Sequence, residues 1–160
     1  MEKILVALDK SDLSQHVFEE ALKLAKQSKA EMMLFHTLTQ EEPGAPQMPI
    51  LYGDSYATQV TDVLKQNYEN AWQEFIKEYV EILEGWAATA KAAELQVEYC
   101  QKYGPPGPGI CEVAETWEAD LIVLGSHRRT GLQAMWMGSV SNYVTHHAPC
   151  SVLLVQAPKV

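Results

Sequence analysis

Ile4-Leu5-Val6-Ala7-Leu8-Asp9-Lys10-Ser11-Asp12 carries an unbroken apolar run straight into a polar turn. A run this short and apolar at every position is the pattern of a β-strand covered on both faces. Leu13, Val17, Ala21 and Leu24 then recur at helical spacing. Ser11 or Asp12 is suited to cap that helix, because a side-chain oxygen there can accept a free N–H of the first turn.

The same unit returns along the chain. Met32-Met33-Leu34-Phe35-His36 reads as a second buried strand, and residues 38 to about 57, rich in Pro, Gly and Gln, as a long variable loop. Trp72, Ile76, Tyr79, Leu83, Trp86 and Ala90 form one stripe of a long helix, which Gly85 weakens without ending. Leu95 to Tyr103 includes a stretch of alternating apolar and polar residues, which predicts a third strand nearer a sheet edge. Gly104 to Gly109 reads as a turn before a short helix with Ile110, Val113, Ala114 and Trp117 on its face. Leu121 to Gly125 is the fourth buried strand and Ser126 to Met137 a loop or lid. Val140, Tyr143, Val144 and His147 mark a helix stopped by Pro149, and Ser151 to Val155 is the fifth strand.

Alternation of strand and helix implies parallel strands with helices on both faces. The expected architecture is α/β: one domain over residues 1–160, an open parallel five-stranded sheet of Rossmann-like kind, strand order 3-2-1-4-5. The direction of winding then reverses between strands one and four. Open α/β sheets bind ligands at the carboxyl ends of the strands beside such a reversal. Here those ends carry Ala7 to Lys10 and Leu124 to Arg129.

A net charge of -9 disfavours nucleic acid and anionic membranes as partners. Cys100, Cys111 and Cys150 are odd in number and match no metal or redox spacing, which predicts reduced, mostly buried thiols. The N-terminal apolar run is too short for a signal peptide and no run is long enough to span a bilayer, so the expected location is cytoplasmic. His146 and His147 are helical neighbours that point apart and make no metal site, and His36 reads as a core histidine. Trp72, Trp86 and Trp117 are expected in the core, and Trp136 in the lid. The sequence contains no nucleophile elbow, Walker lysine or spaced pair of carboxylates, so no catalytic residue is assigned.

The segment richest in chemistry is Gly125-Ser-His-Arg-Arg-Thr-Gly131 through Gly138-Ser139-Val140-Ser141. Gly125 closes the fourth strand, where a missing Cβ lets a ligand approach the backbone. Gly138-Ser139 opens the fourth helix, whose first N–H groups and dipole suit a phosphate. His127, Arg128 and Arg129 add positive charge. Glycines at element ends are also ordinary turn devices, and Ser139 could serve only as a cap.

This segment, together with Ala148-Pro149-Cys150-Ser151-Val152-Leu153-Leu154-Val155, Lys3 to Ser11, and Ala119 to Gly125, resembles the universal stress protein family (UspA-like domains). The resemblance covers the chain except for about 40 to 70. It implies a stress-response regulatory protein that binds an adenine nucleotide, ATP, AMP or cAMP, with Mg²⁺ as an option beside ATP. Any hydrolysis would be slow. In the ATP-binding branch the motif is Gly, two residues, Gly, nine residues, Gly and Ser or Thr. Gly125, Gly138 and Ser139 match it, whereas Arg128 stands at the middle glycine. Arg128 would either pair with phosphate oxygens or block a triphosphate, and Gly131 is a second source of flexibility. The resemblance further implies nucleoside contacts from Asp9 and Ala7, a base contact at Thr37, an apolar wall at Leu124, and phosphate contacts continuing through Val140 and Ser141. It also implies a homodimer paired along strand 151–155. The alternative is a dimeric interaction module without nucleotide, its site filled by Arg128 and its protein partner unknown.

Overall fold

The computed structural model describes residues 1–49, 58–126 and 138–157. The elements are β1 (Lys3–Ala7), α1 (Asp12–Ser28), β2 (Glu31–Leu38), α2 (Thr58–Ala92), β3 (Val97–Tyr103), α3 (Pro106–Thr116), β4 (Leu121–Ser126), α4 (Ser139–His147) and β5 (Ser151–Gln156). All four strand pairings are parallel, in the order β3-β2-β1-β4-β5. The expected architecture and strand order are therefore correct.

Side chains alternate across the pleat, so successive residues of β1 serve opposite layers. Ile4 and Val6 join Val17, Phe18 and Ala21 of α1 and Leu83, Ala87 and Ala90 of α2 on one face. Leu5, with Phe35, Ile122 and Leu124, meets Ile110, Val113 and Val144 on the other. Both faces of the central strands are thus covered. β3, at the edge, keeps Tyr99 and Tyr103 exposed.

Helix α2 has 35 residues, about 52 Å at 1.5 Å per residue. Between residues 60 and 92, its first buried residue is Phe75. Phe75 and Tyr79 hold Leu38 and Ala45 in a third, smaller cluster, which fastens the start of the 39–49 segment onto the helix.

Four local expectations are corrected. The stretch from Gly104 is a turn only as far as Pro105, because α3 begins at Pro106 and takes in Pro108. First-turn N–H groups have no helical partner, so prolines cost nothing there. Ser11 occupies the N-cap position of α1 but makes no side-chain cap bond; its hydroxyl is engaged by Asp9 instead. Trp72, Trp86 and Trp117 are only partly buried, as large rings often are. Trp86 stacks on Phe18 with its indole N–H toward Gln15, while Trp117 lies under the Lys3 ammonium. The three cysteines are free as expected but half-buried rather than buried; burial raises each thiol above its ordinary pKa.

Candidate functional site

The carboxyl ends of β1, β2 and β4 open into a cavity of about 340 Å³. Ala7, Asp9, Thr37, Leu124, Gly125, Gly138, Ser139, Val140 and Ser141 all line it. Nine of the ten residues picked from the sequence are thus brought together. The tenth, Arg128, lies outside the described residues, as do His127, Arg129, Gly131 and Trp136. The cavity sits at the reversal between β1 and β4, the ligand position of doubly wound sheets.

Asp9 is built into its own turn. Its Oδ1 accepts hydrogen bonds from the Ser11 backbone N–H at 2.9 Å, the Ser11 hydroxyl and the Ser14 hydroxyl at 2.7 Å. The Ser14 oxygen in turn accepts the Asp9 N–H at 2.9 Å. This ring of bonds gives the carboxylate one orientation and buries Ser14 at the cavity wall.

Across the cavity α4 begins. Gly138 is its N-cap, and the first helical bond runs from the Asn142 N–H to the Gly138 carbonyl. The N–H groups of Ser139, Val140 and Ser141 consequently have no partner within the helix. Gly138 holds the N-cap position and Ser139 is the first helical residue, so Ser139 is not the N-cap that spacing alone allowed. Ser141 is 3% exposed and donates its hydroxyl to the Gly138 carbonyl at 3.0 Å.

Gly125 lines the cavity and has a packing reason besides the one expected. A Cβ there would meet Leu13 Cδ2 at 2.7 Å and Cγ at 3.1 Å, and Val17 Cγ2 at 3.4 Å. The missing side chain makes room for α1 against the end of β4. Gly125→Ala is expected to cost about 1–3 kcal/mol and to drive Leu13 into the cavity. The double variant with Leu13→Ala should recover the cavity, which melting curves and ligand titration of the three proteins would reveal. Wild-type stability in Gly125→Ala would refute the close approach of α1.

Two further residues at the cavity wall carry chemistry that the sequence reading missed. His36 is 2% exposed and lies flat on the Tyr79 ring, centroids 3.8 Å apart. Its Nε2 is 2.7 Å from Glu42 Oε1 and its Nδ1 is 3.0 Å from Gln101 Nε2. A carboxylate only accepts, so Nε2 carries a proton toward Glu42, and Nδ1 faces the Gln101 side-chain amide. His36 is a satisfied buried histidine, as expected, but it also holds Glu42 at the cavity. The other oxygen of that carboxylate, Oε2, is buried, and no described donor reaches it with hydrogen-bonding geometry. An unpaired buried acceptor costs about 1–3 kcal/mol, more when charged. Burial first, then the adjacent Glu42 carboxylate by its charge and by a side-chain hydrogen bond, with Asp9 and Glu78 adding, pushes the Tyr79 phenol far above its ordinary pKa. The Lys10 ammonium lies 4.7 Å from the Tyr79 centroid and is paired with Glu78 at 2.7 Å. No sequence spacing announces this cluster. His36 and Glu42 are six residues apart, and Gln101 arrives from another strand.

Among the described lining residues the ionisable side chains are Asp9, His36 and Glu42. The lining therefore combines side-chain acceptors with the backbone donors that open α4. No group of three His, Cys, Asp or Glu able to hold a metal occurs among the described residues.

The universal stress protein family model matches residues 1–156. The chain belongs to the universal stress protein family. A universal stress protein of Synechocystis sp., Sll1388, is 35% identical over 154 residues, covering 96% of this chain and 97% of that protein. A universal stress protein solved in complex with cAMP superposes with a TM-score of 0.64 at 25% identity, covering 96% of each chain. An Arabidopsis thaliana family member solved with AMP bound shares the fold at a TM-score of 0.61 and 17% identity, covering 99% of this chain and 93% of its own. Among the described residues of this universal stress protein, no helix is long and apolar enough to cross a membrane.

Proposed function

We propose that this universal stress protein binds an adenine nucleotide in the cavity and acts as a stress-response regulator whose ligand state is read by a partner. The observation that carries the proposal is the polarity of the cavity. Backbone N–H groups of Ser139, Val140 and Ser141 at the start of α4, and the Asp9 and Glu42 carboxylates that follow β1 and β2, line the same cavity. A ligand anionic at one end and rich in N–H and O–H donors at the other matches that arrangement, and a nucleotide is such a molecule. The volume, about 340 Å³, lies within the range of small-molecule sites. The cAMP and AMP complexes of family members support the same class of ligand. In this reading the phosphate meets α4, the nucleoside meets Asp9 and Ala7, and the base lies near Thr37 and Leu124. The partner of the regulator includes a second copy paired along β5, an edge strand whose Val152, Leu153 and Leu154 are half-exposed.

Thermal unfolding with AMP, cAMP, and ATP plus Mg²⁺ tests the reading. A ligand at about 100 times its dissociation constant adds ~2.7 kcal/mol to stability. Gly138→Ala gives the sharper result. Its φ of -55° suits any residue, and among the described residues the new Cβ would meet Ser141 Oγ at 3.6 Å, an ordinary contact. The fold should keep its stability to within about 0.5 kcal/mol, while a phosphate brought against the α4 terminus should lose affinity. Absence of any shift with every nucleotide would sink the proposal.

The second reading, an interaction module without nucleotide, is favoured by Arg128 at the position of the motif glycine. It requires that wild type bind nothing and that Arg128→Gly gain a shift.

A further inference from the structure

We infer that Glu42 is a specificity-determining residue of the cavity, whose Oε2 accepts a hydrogen bond from the nucleoside part of the ligand. The inference rests on the nucleotide reading above. Three observations meet in it. Glu42 lines the cavity. Its Oε2 is buried and no described donor reaches it with full hydrogen-bonding geometry, although the neighbouring Tyr79 phenol interacts with the carboxylate. Its Oε1 is occupied by His36, whose ring is clamped by Gln101 on the other nitrogen and by Tyr79 across its face.

The clamp makes this more than an unpaired atom. A carboxylate on a free loop would turn toward water and lose its directionality. Here the loop is pinned: the Ala45 N–H donates to the Glu42 carbonyl at 3.0 Å, and Ala45 packs with Phe75 and Tyr79. The His36 Nε2–H is directed at Oε1, so Oε2 is the carboxylate oxygen left over. Only a donor can satisfy it. A nucleoside offers two kinds, the exocyclic amine of adenine and the ribose hydroxyls. The negative charge also disfavours a phosphate at this end, which sets the direction in which a nucleotide lies in the cavity.

His36 further dictates what an amide would do in the same place. In Glu42→Gln the side-chain carbonyl must face the His36 N–H, so the NH₂ takes the position of Oε2. The acceptor becomes a donor with hardly any change in shape. An amine on the ligand would then meet another donor, and a carbonyl there would find a partner. A hydroxyl can reverse its role and would lose less.

The test is calorimetric titration of wild type, Glu42→Gln and Glu42→Ala with AMP, inosine monophosphate, 2′-deoxy-AMP and 3′-deoxy-AMP, with a melting curve of each unliganded variant. Glu42→Gln is expected to weaken AMP by roughly tenfold to a hundredfold, the range for a hydrogen bond to a charged group. If the amine is the donor, inosine monophosphate binds Glu42→Gln better than wild type. If a ribose hydroxyl is the donor, the corresponding deoxynucleotide binds wild type and Glu42→Ala alike, since the partner is already gone. AMP affinity unchanged in both variants overturns the inference and leaves the nucleotide reading standing, as does an equal loss for every analogue. No binding of any nucleotide to wild type overturns both.

Discussion

Phe35→Ala is expected to remove about 3–5 kcal/mol of stability and to merge the void it leaves with the ligand cavity. Phe35 is 1% exposed, lies mid-sheet on β2 and packs with Leu5, Ile110, Val113 and Leu124. Its ring also forms part of the cavity wall. Two costs combine: the transfer of the ring's apolar surface, and a hole that a rigid parallel sheet cannot close. For a chain of this length each kcal/mol lowers the melting temperature by about 2–4 °C. Urea titration should give a lower midpoint at an unchanged slope, since the surface exposed on unfolding is nearly the same. A conserved midpoint would mean that α3 collapses onto β2 and fills the gap. Because the new void adjoins the cavity, a ligand should bind the variant with altered selectivity for bulk near Thr37.

Gly107→Ala should prove costly for a single methyl group. The added Cβ would lie 2.7 Å from Tyr143 Cδ1, 2.9 Å from Cγ and 3.0 Å from Cβ. A clash with a ring tip can be relieved by a rotamer change, but a clash at Cβ cannot, because that atom moves only with its backbone. The Tyr143 ring is also stacked on His147 at 4.1 Å, which restrains it from the other side. Helices α3 and α4 must therefore separate, and overpacking of this kind costs about 1–3 kcal/mol. The displacement has a functional reading as well. Ser139 to Ser141 are the first residues of α4, so moving the helix moves the donor end of the cavity. Stability and ligand affinity should fall together in Gly107→Ala. Adding Tyr143→Ala should restore part of both, with a coupling energy of about 0.5–3 kcal/mol in a double-mutant cycle. Additive losses in the cycle would show that the two residues do not interact.

The sheet was legible because burial on both faces leaves a mark that needs no partner to read. β1, β2 and β4 are continuous apolar runs, whereas β3, at the edge, alternates. Strand order followed from the need to cover both faces. Helix ends were less legible. Where α1, α2 and α3 give way to the next strand, the left-handed residues are Lys29, Glu94 and Glu118, with φ of 55°, 62° and 56°. Glycine normally marks such a turn, and charged residues in this role give no signal. Gly107 and Gly125 were visible as glycines, but the reason for each is a side chain on another element, Tyr143 and Leu13. The cavity wall could be picked out where residues cluster near strand ends or open a helix. The His36–Glu42–Gln101 contact could not, because three-dimensional packing alone joins those positions.

The order of the strands also governs when the molecule becomes competent during synthesis. β1 is the centre of the sheet and is made first, yet one of its two neighbours, β4, arrives late. The Lys3 N–H donates to the Asp120 carboxylate across 117 positions of chain. Until β4 emerges, β1 has an open edge, and until α4 follows, the cavity lacks its donor end. Closing such distant contacts is slow and leaves apolar strand edges exposed meanwhile. A nascent chain stalled anywhere before α4 thus lacks part of the cavity wall, so the proposed nucleotide could stabilise only molecules whose α4 has been made.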